Sequence, residues 1–208
     1  MARPLDTQRR AELAHRALEV LRARGIGRTT MSELAEALGV KRPTLYFYFR
    51  DLTGLLHAAL EDVYRAYFAH VSARVAGIDH PIVALGELAR ATVEFQRGRR
   101  DVVALLFQLW AAGDADPEEM FAKARAVNEP LRADLIARVE AGIARGVVEP
   151  CDAAAIVDLV MTVLDGTIVQ EVTRGASGAA VVEELWQRVL APLVRAERRE
   201  SRERRSKR

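Results

Sequence analysis

Residues 29–56 read TTMSELAEALGVKRPTLYFYFRDLTGLL, and this stretch predicts two short helices joined by a tight turn. Thr30 is a residue type that caps a helix, because its hydroxyl accepts a hydrogen bond from a backbone N–H. Apolar residues then recur at the spacing of one helix face, namely Met31, Leu34, Ala35 and Leu38. Gly39 follows where a helix ends in a left-handed residue, and Pro43 suits the first turn of a second helix. The stretch therefore predicts a helix-turn-helix.

The second helix of this motif carries side chains that contact nucleic acid. A recognition helix enters the major groove with its N-terminal residues against base edges. Arg42 has a planar guanidinium that matches the O6 and N7 acceptors of guanine, and Pro43 can touch a thymine methyl group. Hydroxyl groups are suited to phosphate oxygens, which position the helix without reading sequence. The predicted DNA-binding residues are Thr30, Ser32, Lys41, Arg42, Pro43, Thr44, Tyr46 and Tyr48.

Residues 7–57 resemble the DNA-binding domain of the TetR family of bacterial transcriptional regulators. The resemblance is strongest in GVKRPTLYFYF at residues 39–49, with TTMSELAEALGV before it and a leucine-rich helix after it. It implies that the chain binds DNA as a regulator and that the motif residues contact the duplex. One position departs from the family, which usually has a phosphate-binding Lys where this chain has Leu52. Arg50 is a candidate substitute, and we expect weaker nonspecific affinity.

The rest of the chain is also predicted to be helical. The 208 residues are 50% hydrophobic and 29% charged, which is typical of a globular protein, and they include no β-rich runs. We expect an all-α fold of about nine helices, the last at about residues 180–199 with Val181 among its apolar residues. The expected domains are a helix-turn-helix DNA-binding domain at residues 7–67, a ligand-binding and dimerisation domain at 68–199 and a charged tail at 200–208.

Charge is unevenly distributed along the chain. Residues 1–55 hold ten Lys and Arg against six Asp and Glu, whereas residues 56–194 hold thirteen against twenty. The positive charge of residues 1–55 and the acidic charge of residues 56–194 are expected to orient the N-terminal part of the chain toward DNA. No run approaches the ~20 apolar residues of a membrane span, and the N-terminus lacks an apolar signal core. We therefore expect no membrane partner and a cytoplasmic location.

The sequence indicates no catalytic site, metal site or cofactor. Cys151 is the single cysteine and has no partner at metal-ligand spacing. Glu12 and His15 have the spacing of a di-iron pair, but the second pair that such a site needs is missing. Two alternatives to a repressor remain, namely a helical enzyme or small-molecule-binding protein, and a transcriptional activator of the same fold.

The last two long helices are the expected dimer interface. The same helices usually form the interface in the family that residues 7–57 resemble. One recognition helix covers few base pairs, so a pair on a palindrome is needed for specificity. The helix after Asp152 is apolar around most of its circumference, and Gly166 indicates a close helix approach. The interface candidates are Ile156, Val160, Val163, Gly166, Thr167, Leu185, Trp186, Val189 and Leu193. An intramolecular core made of the same residues is the alternative.

The central helices carry an apolar group that predicts a ligand pocket. Large apolar side chains with a few polar ones are typical of small-molecule sites. The pocket candidates are Phe95, Phe107, Gln108, Trp110, Met120, Phe121, Met161 and Asp165. A hydrophobic small-molecule effector is therefore expected, although such clusters also occur as plain core.

Overall fold

The computed structural model describes residues 6–25, 29–97 and 117–195, apart from the side chains of residues 60, 117–125 and 127. Eight α-helices lie in these residues, and they confirm the predicted all-α fold. In chain order they are α1 (Thr7–Arg24), α2 (Met31–Ala37), α3 (Arg42–Tyr48), α4 (Leu52–Val75), α5 (Pro81–Gln96), α6 (Pro117–Ala144), α7 (Ala153–Arg174) and α8 (Ala179–Leu185). The apolar run at residues 102–110, where a further helix is predicted, lies outside the described residues.

The chain divides into two compact units. The first unit, hereafter the head, contains α1, α2, α3 and most of α4. The second unit, hereafter the body, contains the end of α4, α5, most of α6, and α7 and α8. Each unit has buried apolar residues of its own.

Short polar side chains cap four of the eight described helices, namely α1, α2, α4 and α7, as the sequence predicts. The Asp6 side chain accepts a hydrogen bond from the Arg9 N–H at 2.9 Å, and the Asp152 side chain accepts from Ala155 at 3.0 Å. The Asp51 carboxylate accepts from the Gly54 N–H at 2.7 Å at the start of α4. These bonds satisfy N–H groups that have no partner inside the helix.

The core of the head is built from one face of each of its helices. Leu13 and Leu21 of α1, Leu34 of α2 and Leu45 of α3 are fully buried. Phe49, which ends α3, is 2% exposed and lies in the same cluster. Gly39 has a φ of 67°, so the left-handed turn between α2 and α3 is the one that the sequence predicts.

The body packs α5 against α7 and α8 at short range. A Cβ built on Gly178 would lie 2.4 Å from the Thr167 side chain, so only glycine fits there. The Thr167 hydroxyl, which is buried, donates to the Leu164 carbonyl at 2.7 Å and lies 3.2 Å from Gln96 Oε1. Burial in the body centres on Ile82, Leu85, Val139, Val148, Val157, Val160, Val182 and Leu190.

The end of the last helix differs from its prediction. After α8 the chain forms a π turn at Trp186–Leu190 and a 3-10 turn at Ala191–Leu193, so helical structure ends before residue 199. Pro192 lacks the N–H that would continue an α-helix. Val194 forms a β-bridge with Val148 instead. Val181, one of the apolar residues expected on the last helix, is 52% exposed, whereas Val182 is buried.

Helix α7 is long and apolar enough to meet the length and composition of a membrane span, contrary to the expectation that no such segment exists. The structure shows why the helix is so apolar. One face, with Ala153, Val157, Val160, Leu164 and Thr167, is buried in the body. Two further apolar residues of the helix, Leu159 and Val169, lie outside this buried face at 41% and 42% exposure.

Candidate functional site

Helix α3 is held against the head by one face and presents the other outward. Leu45 and Phe49 are one turn apart and buried, whereas Lys41, Arg42, Pro43 and Thr44 are exposed. Lys41 is the N-cap residue and Pro43 lies in the first turn, so the start of the helix is open. The sequence thus places the base-contact candidates on the accessible surface of the motif.

Two arginines of α1 fix the motif in place. The Arg16 guanidinium donates a 2.9 Å hydrogen bond to the Leu38 carbonyl at the C-terminus of α2. The Arg10 guanidinium lies 5.5 Å from the centre of the Phe49 ring and 3.6 Å from a carboxylate oxygen of Glu61 in α4. These contacts orient α2 and α3 through side chains of α1, and the sequence analysis did not anticipate them.

The guanidinium of Arg42 is placed by an aromatic ring. Its central carbon lies 5.3 Å from the centre of the Tyr46 ring, one helical turn along α3. A cation over a ring face is attracted by the negative charge of that face. Tyr46 remains 42% exposed. The structure therefore gives Tyr46 a contact that the sequence analysis did not assign, beside its predicted role at phosphate.

The two other aromatic residues of α3 occupy different environments. Tyr48, predicted to contact phosphate, is half-buried and packs against the core of the head. Phe47, which was not among the predicted contacts, is 49% exposed. The signal for Phe47 was present in the sequence, because a residue between buried positions 45 and 49 must point away from the core.

Thr30 and Ser32, the two candidates at the start of α2, are both exposed. The Thr30 hydroxyl accepts from the Glu33 N–H at 3.3 Å, and the Glu33 carboxylate accepts from the Thr30 N–H at 2.7 Å, which completes a capping box. The Thr30 backbone and hydroxyl bonds lower the pKa of Glu33. Thr30 therefore already has a structural role, and a phosphate contact would be additional to it.

The positive charges of the head fall into two groups. In α1, Arg9, Arg16 and Arg22 each form an ion pair with a glutamate of the same helix. Within the part of the chain that the structure describes, no carboxylate forms an ion pair with Lys41, Arg42 or Arg50. The cations beside α3 are thus left to interact with an external anion.

Leu52 occupies the position where a phosphate-binding Lys was expected. It is the first residue of α4, and its half-buried side chain packs against the core of the head. The departure from the family pattern thus replaces a charge by an apolar contact. Arg50 is exposed two residues earlier.

The predicted dimer residues separate into inward and outward groups. Val160, Thr167 and Leu185 are at most 7% exposed within the single chain, so they contribute to the core of the body. The Trp186 ring also packs inward, against Gly86 and beneath Arg90, with 4.9 Å between the guanidinium and the ring centre. Gly166 is exposed, and a Cβ there would meet no atom of the chain within 4 Å. The half-buried members are Ile156, Val163, Val189 and Leu193.

The structure describes only part of the predicted ligand pocket. Phe107, Gln108 and Trp110 lie outside the described residues, and Met120 and Phe121 belong to α6 without described side chains. Phe95 and Met161 are half-buried, whereas Asp165 is exposed. Partial desolvation raises the pKa of the Asp165 carboxyl.

A groove of about 420 Å³ lies elsewhere in the body, between the later part of α7 and the start of α8. Its apolar lining includes Val163, Gly166 and Val181, and its polar lining includes Gln170 and Arg174. In the described ranges, no group of three His, Cys, Asp or Glu side chains is arranged to hold a metal ion.

The geometry of the head defines a class of protein. Two short helices meet at a left-handed glycine, and the second presents exposed cations that form no ion pair with any described carboxylate, which is the arrangement of a helix-turn-helix DNA-binding domain. Residues 13–59 match the model of bacterial regulatory proteins of the tetR family. This match confirms the resemblance drawn from the sequence, and it places the helix-turn-helix of the chain in the TetR family.

Solved structures extend the likeness to most of the chain. A TetR transcription regulator from Haloarcula marismortui has a TM-score of 0.75 at 18% identity, with 90% of this chain and 100% of that chain covered. A TetR/AcrR-family regulator from Thermobifida fusca has a TM-score of 0.71 at 19% identity, with 90% and 100% covered. AibR, solved with isovaleryl coenzyme A and operator DNA, has a TM-score of 0.60 at 17% identity, with 88% and 98% covered. No curated protein sequence matches the chain. The chain therefore has the fold of a TetR-family transcriptional regulator.

Proposed function

We propose that the chain is a homodimeric repressor that binds a palindromic operator and is released by a hydrophobic small molecule. In this proposal residues 7–67 bind DNA, residues 68–199 dimerise and bind the effector, and residues 200–208 form a charged tail. The protein acts in the cytoplasm, without a membrane partner or a cofactor.

The observation that carries the proposal is the surface of α3. Arg42 and Pro43 are exposed at the start of the helix, and the neighbouring cations Lys41 and Arg50 have no carboxylate partner among the described residues. Lys and Arg that are free to neutralise phosphates supply the sequence-independent part of the affinity. Arg42 would supply base readout, and the hydroxyls of Thr44 and Ser32 would fix the position of the helix.

Exposed apolar side chains of the body support a dimer. Leu159, Val169 and Val181 are 41%, 42% and 52% exposed, and Val181 lines the groove together with Val163 and Gly166. Large apolar side chains left exposed on a folded chain are candidates for an interaction site. A second copy would cover it through a two-fold axis, where the same face serves both protomers. The gap above Gly166 would admit a helix of the partner at close range.

The half-buried side chains of Phe95 and Met161 support a hydrophobic effector. AibR, which shares the fold, was solved with both an acyl thioester of coenzyme A and operator DNA. A ligand releases DNA only by binding more tightly to a state of the dimer that does not fit the operator. We propose that such a state changes the spacing of the two heads.

Dimer formation is tested by placing a charge on the exposed face of α7. Sedimentation velocity should give twice the 23.0 kDa chain mass for the unmodified protein and a monomer for Val169→Glu. Ala144→Glu puts the same charge at an exposed position of α6 and serves as the control. Because Val169→Glu loses the dimer, its operator affinity should also fall, while its helix content by circular dichroism should equal that of the unmodified protein. A Val169→Glu variant that remains a dimer would contradict the proposed interface.

Repression and release are tested with a promoter that overlaps the operator. Reporter transcription should fall when the protein is present, whereas a rise would identify an activator.

Release by an effector is tested by titrating decanoate, isovaleryl coenzyme A and the dye rhodamine 6G into the complex of the protein with labelled operator. At least one probe should weaken operator binding tenfold or more, and Met161→Arg should abolish that response without changing DNA affinity. Equal responses of Met161→Arg and the unmodified protein would place the effector elsewhere.

A further inference from the structure

Phe47 is the large apolar side chain at the centre of the exposed surface of α3. It is 49% exposed, and neighbouring positions 45 and 49 are 0% and 2% exposed. At about 100° per residue, position 47 points almost directly away from the buried pair. Its ring makes a T-shaped contact with the Tyr48 ring, with 5.1 Å between the ring centres, and about half of the side chain stays open to solvent.

Pro43 extends the apolar surface of Phe47 along the helix. The two residues are one turn apart, on the same side of α3, and Pro43 is also exposed. Arg42 and Tyr46 form a second pair beside them, with the guanidinium over the ring. The outward surface of α3 thus consists of an apolar ridge, defined as Pro43 and Phe47, with an arginine along its flank.

We propose that Phe47, together with Pro43, reads the C5-methyl groups of thymines in the operator half-site. This inference rests on the proposed DNA-binding function and adds to it the base chemistry that the ridge recognises. In the major groove the thymine methyl is the apolar feature of the base edges, and apolar side chains are its partners. An exposed apolar ridge flanked by unpaired cations fits this surface, because the cations bind phosphates on either side while the ridge meets the methyl groups.

The proposal defines the composition of the half-site. Arg42 on the flank of the ridge reads a guanine, so thymines should lie next to that guanine at the positions that Phe47 and Pro43 reach. Phe47 is then a specificity-determining residue, since its contribution depends on the methyl group and not on the phosphates. Loss of its ring should relax the preference at the thymine positions and leave the guanine position unchanged.

Deoxyuridine tests the contact with a change of one methyl group. An operator obtained by selection is synthesised with deoxyuridine in place of each half-site thymine in turn, and its affinity is measured for the unmodified protein and for Phe47→Ala. The unmodified protein should lose about fourfold at each contacted position, the effect of withdrawing one methyl group from burial. Phe47→Ala should bind thymine and deoxyuridine operators equally at the position that Phe47 reads. Tyr46→Phe, which keeps both apolar residues of the ridge, should discriminate as the unmodified protein does.

The outcomes separate this inference from the proposed function. If selection yields no operator at all, the proposed function fails. If an operator is found but deoxyuridine binds as well as thymine throughout the half-site, the ridge does not read methyl groups and the inference is overturned. Full discrimination by Phe47→Ala would equally overturn it, because the methyl contact would then belong to another side chain.

Discussion

The indole ring of Trp186 lies against Gly86 of α5, so closely that a Cβ at position 86 would be 2.5 Å from ring atom Cε3. Arg90 covers the same ring at 4.9 Å and lies 3.2 Å from a carboxylate oxygen of Glu183 in α8. The contact fixes the C-terminal turn of the body on α5. Trp186, a predicted dimer-interface residue, therefore has a contact within the single chain.

Gly86→Ala should destabilise the body. The added methyl has no space against the ring, and overpacking of this kind costs about 1–3 kcal/mol. Urea unfolding measures the loss. In a Trp186→Leu background the ring is absent, so the same substitution should have almost no cost. An equal loss in both backgrounds would show that the methyl group meets something other than Trp186.

The ion pair between Arg132 of α6 and Asp158 of α7 predicts a pH dependence. The guanidinium donates to both carboxylate oxygens, at 2.5 and 2.7 Å, and these bonds lower the pKa of Asp158. A lowered folded-state pKa means that the stabilisation is present at neutral pH and is lost as the pH falls below about 4, the ordinary range of a carboxyl. Asp158→Asn should therefore be less stable than the unmodified protein at pH 7, with a difference that narrows toward pH 3. Urea midpoints across that range measure it, and a constant difference would contradict the assignment.

Tyr46 should position Arg42 through its ring and not through its hydroxyl. Tyr46→Phe keeps the ring under the guanidinium, so the guanine preference of the half-site should be retained. Tyr46→Leu removes the ring, and the preference should weaken by a factor of about 2–5, the usual value of an exposed cation–π contact. Binding to operators with each base at the guanine position measures this. Equal preferences in the two variants would show that the ring does not act on Arg42.

Leu52→Lys should restore a phosphate contact. The new ammonium group at the start of α4 is expected to make the slope of log affinity against log salt steeper by about 0.9 for each protomer, the value for one neutralised phosphate. Leu52→Met keeps an apolar side chain against the core and serves as the control. Fluorescence anisotropy over a salt series measures the slopes. A slope unchanged by lysine would mean that residue 52 does not approach the backbone of the DNA.

Local chemistry explains why so much of the head was predictable. Thr30, Gly39 and Pro43 each act on the backbone within a few residues, so their effects do not depend on the rest of the fold. The starts of α5 at Pro81 and of α7 after Asp152 were predictable for the same reason. The family resemblance then predicted DNA as the partner of the exposed side chains, and the helix-turn-helix that it implied is confirmed.

The features that sequence reasoning missed depend on distant contacts. Arg16 reaches the Leu38 carbonyl across twenty-two positions, and nothing near either residue in the sequence indicates that bond. The π turn at Trp186–Leu190 changes which side chains face inward, so a regular helical period fails beyond it. Leu159 and Val169 were more predictable, because α7 has more apolar surface than one core can cover.

Selection of binding sites from a random duplex library, at a stated salt concentration, tests the central claim most directly. We predict enrichment of a palindrome whose half-site centres lie about 10 base pairs, or one helical turn, apart. Val169→Glu, as a monomer, should fail to enrich it. Weak binding without sequence preference, or enrichment of an unrepeated single site, would contradict a dimeric operator-binding regulator.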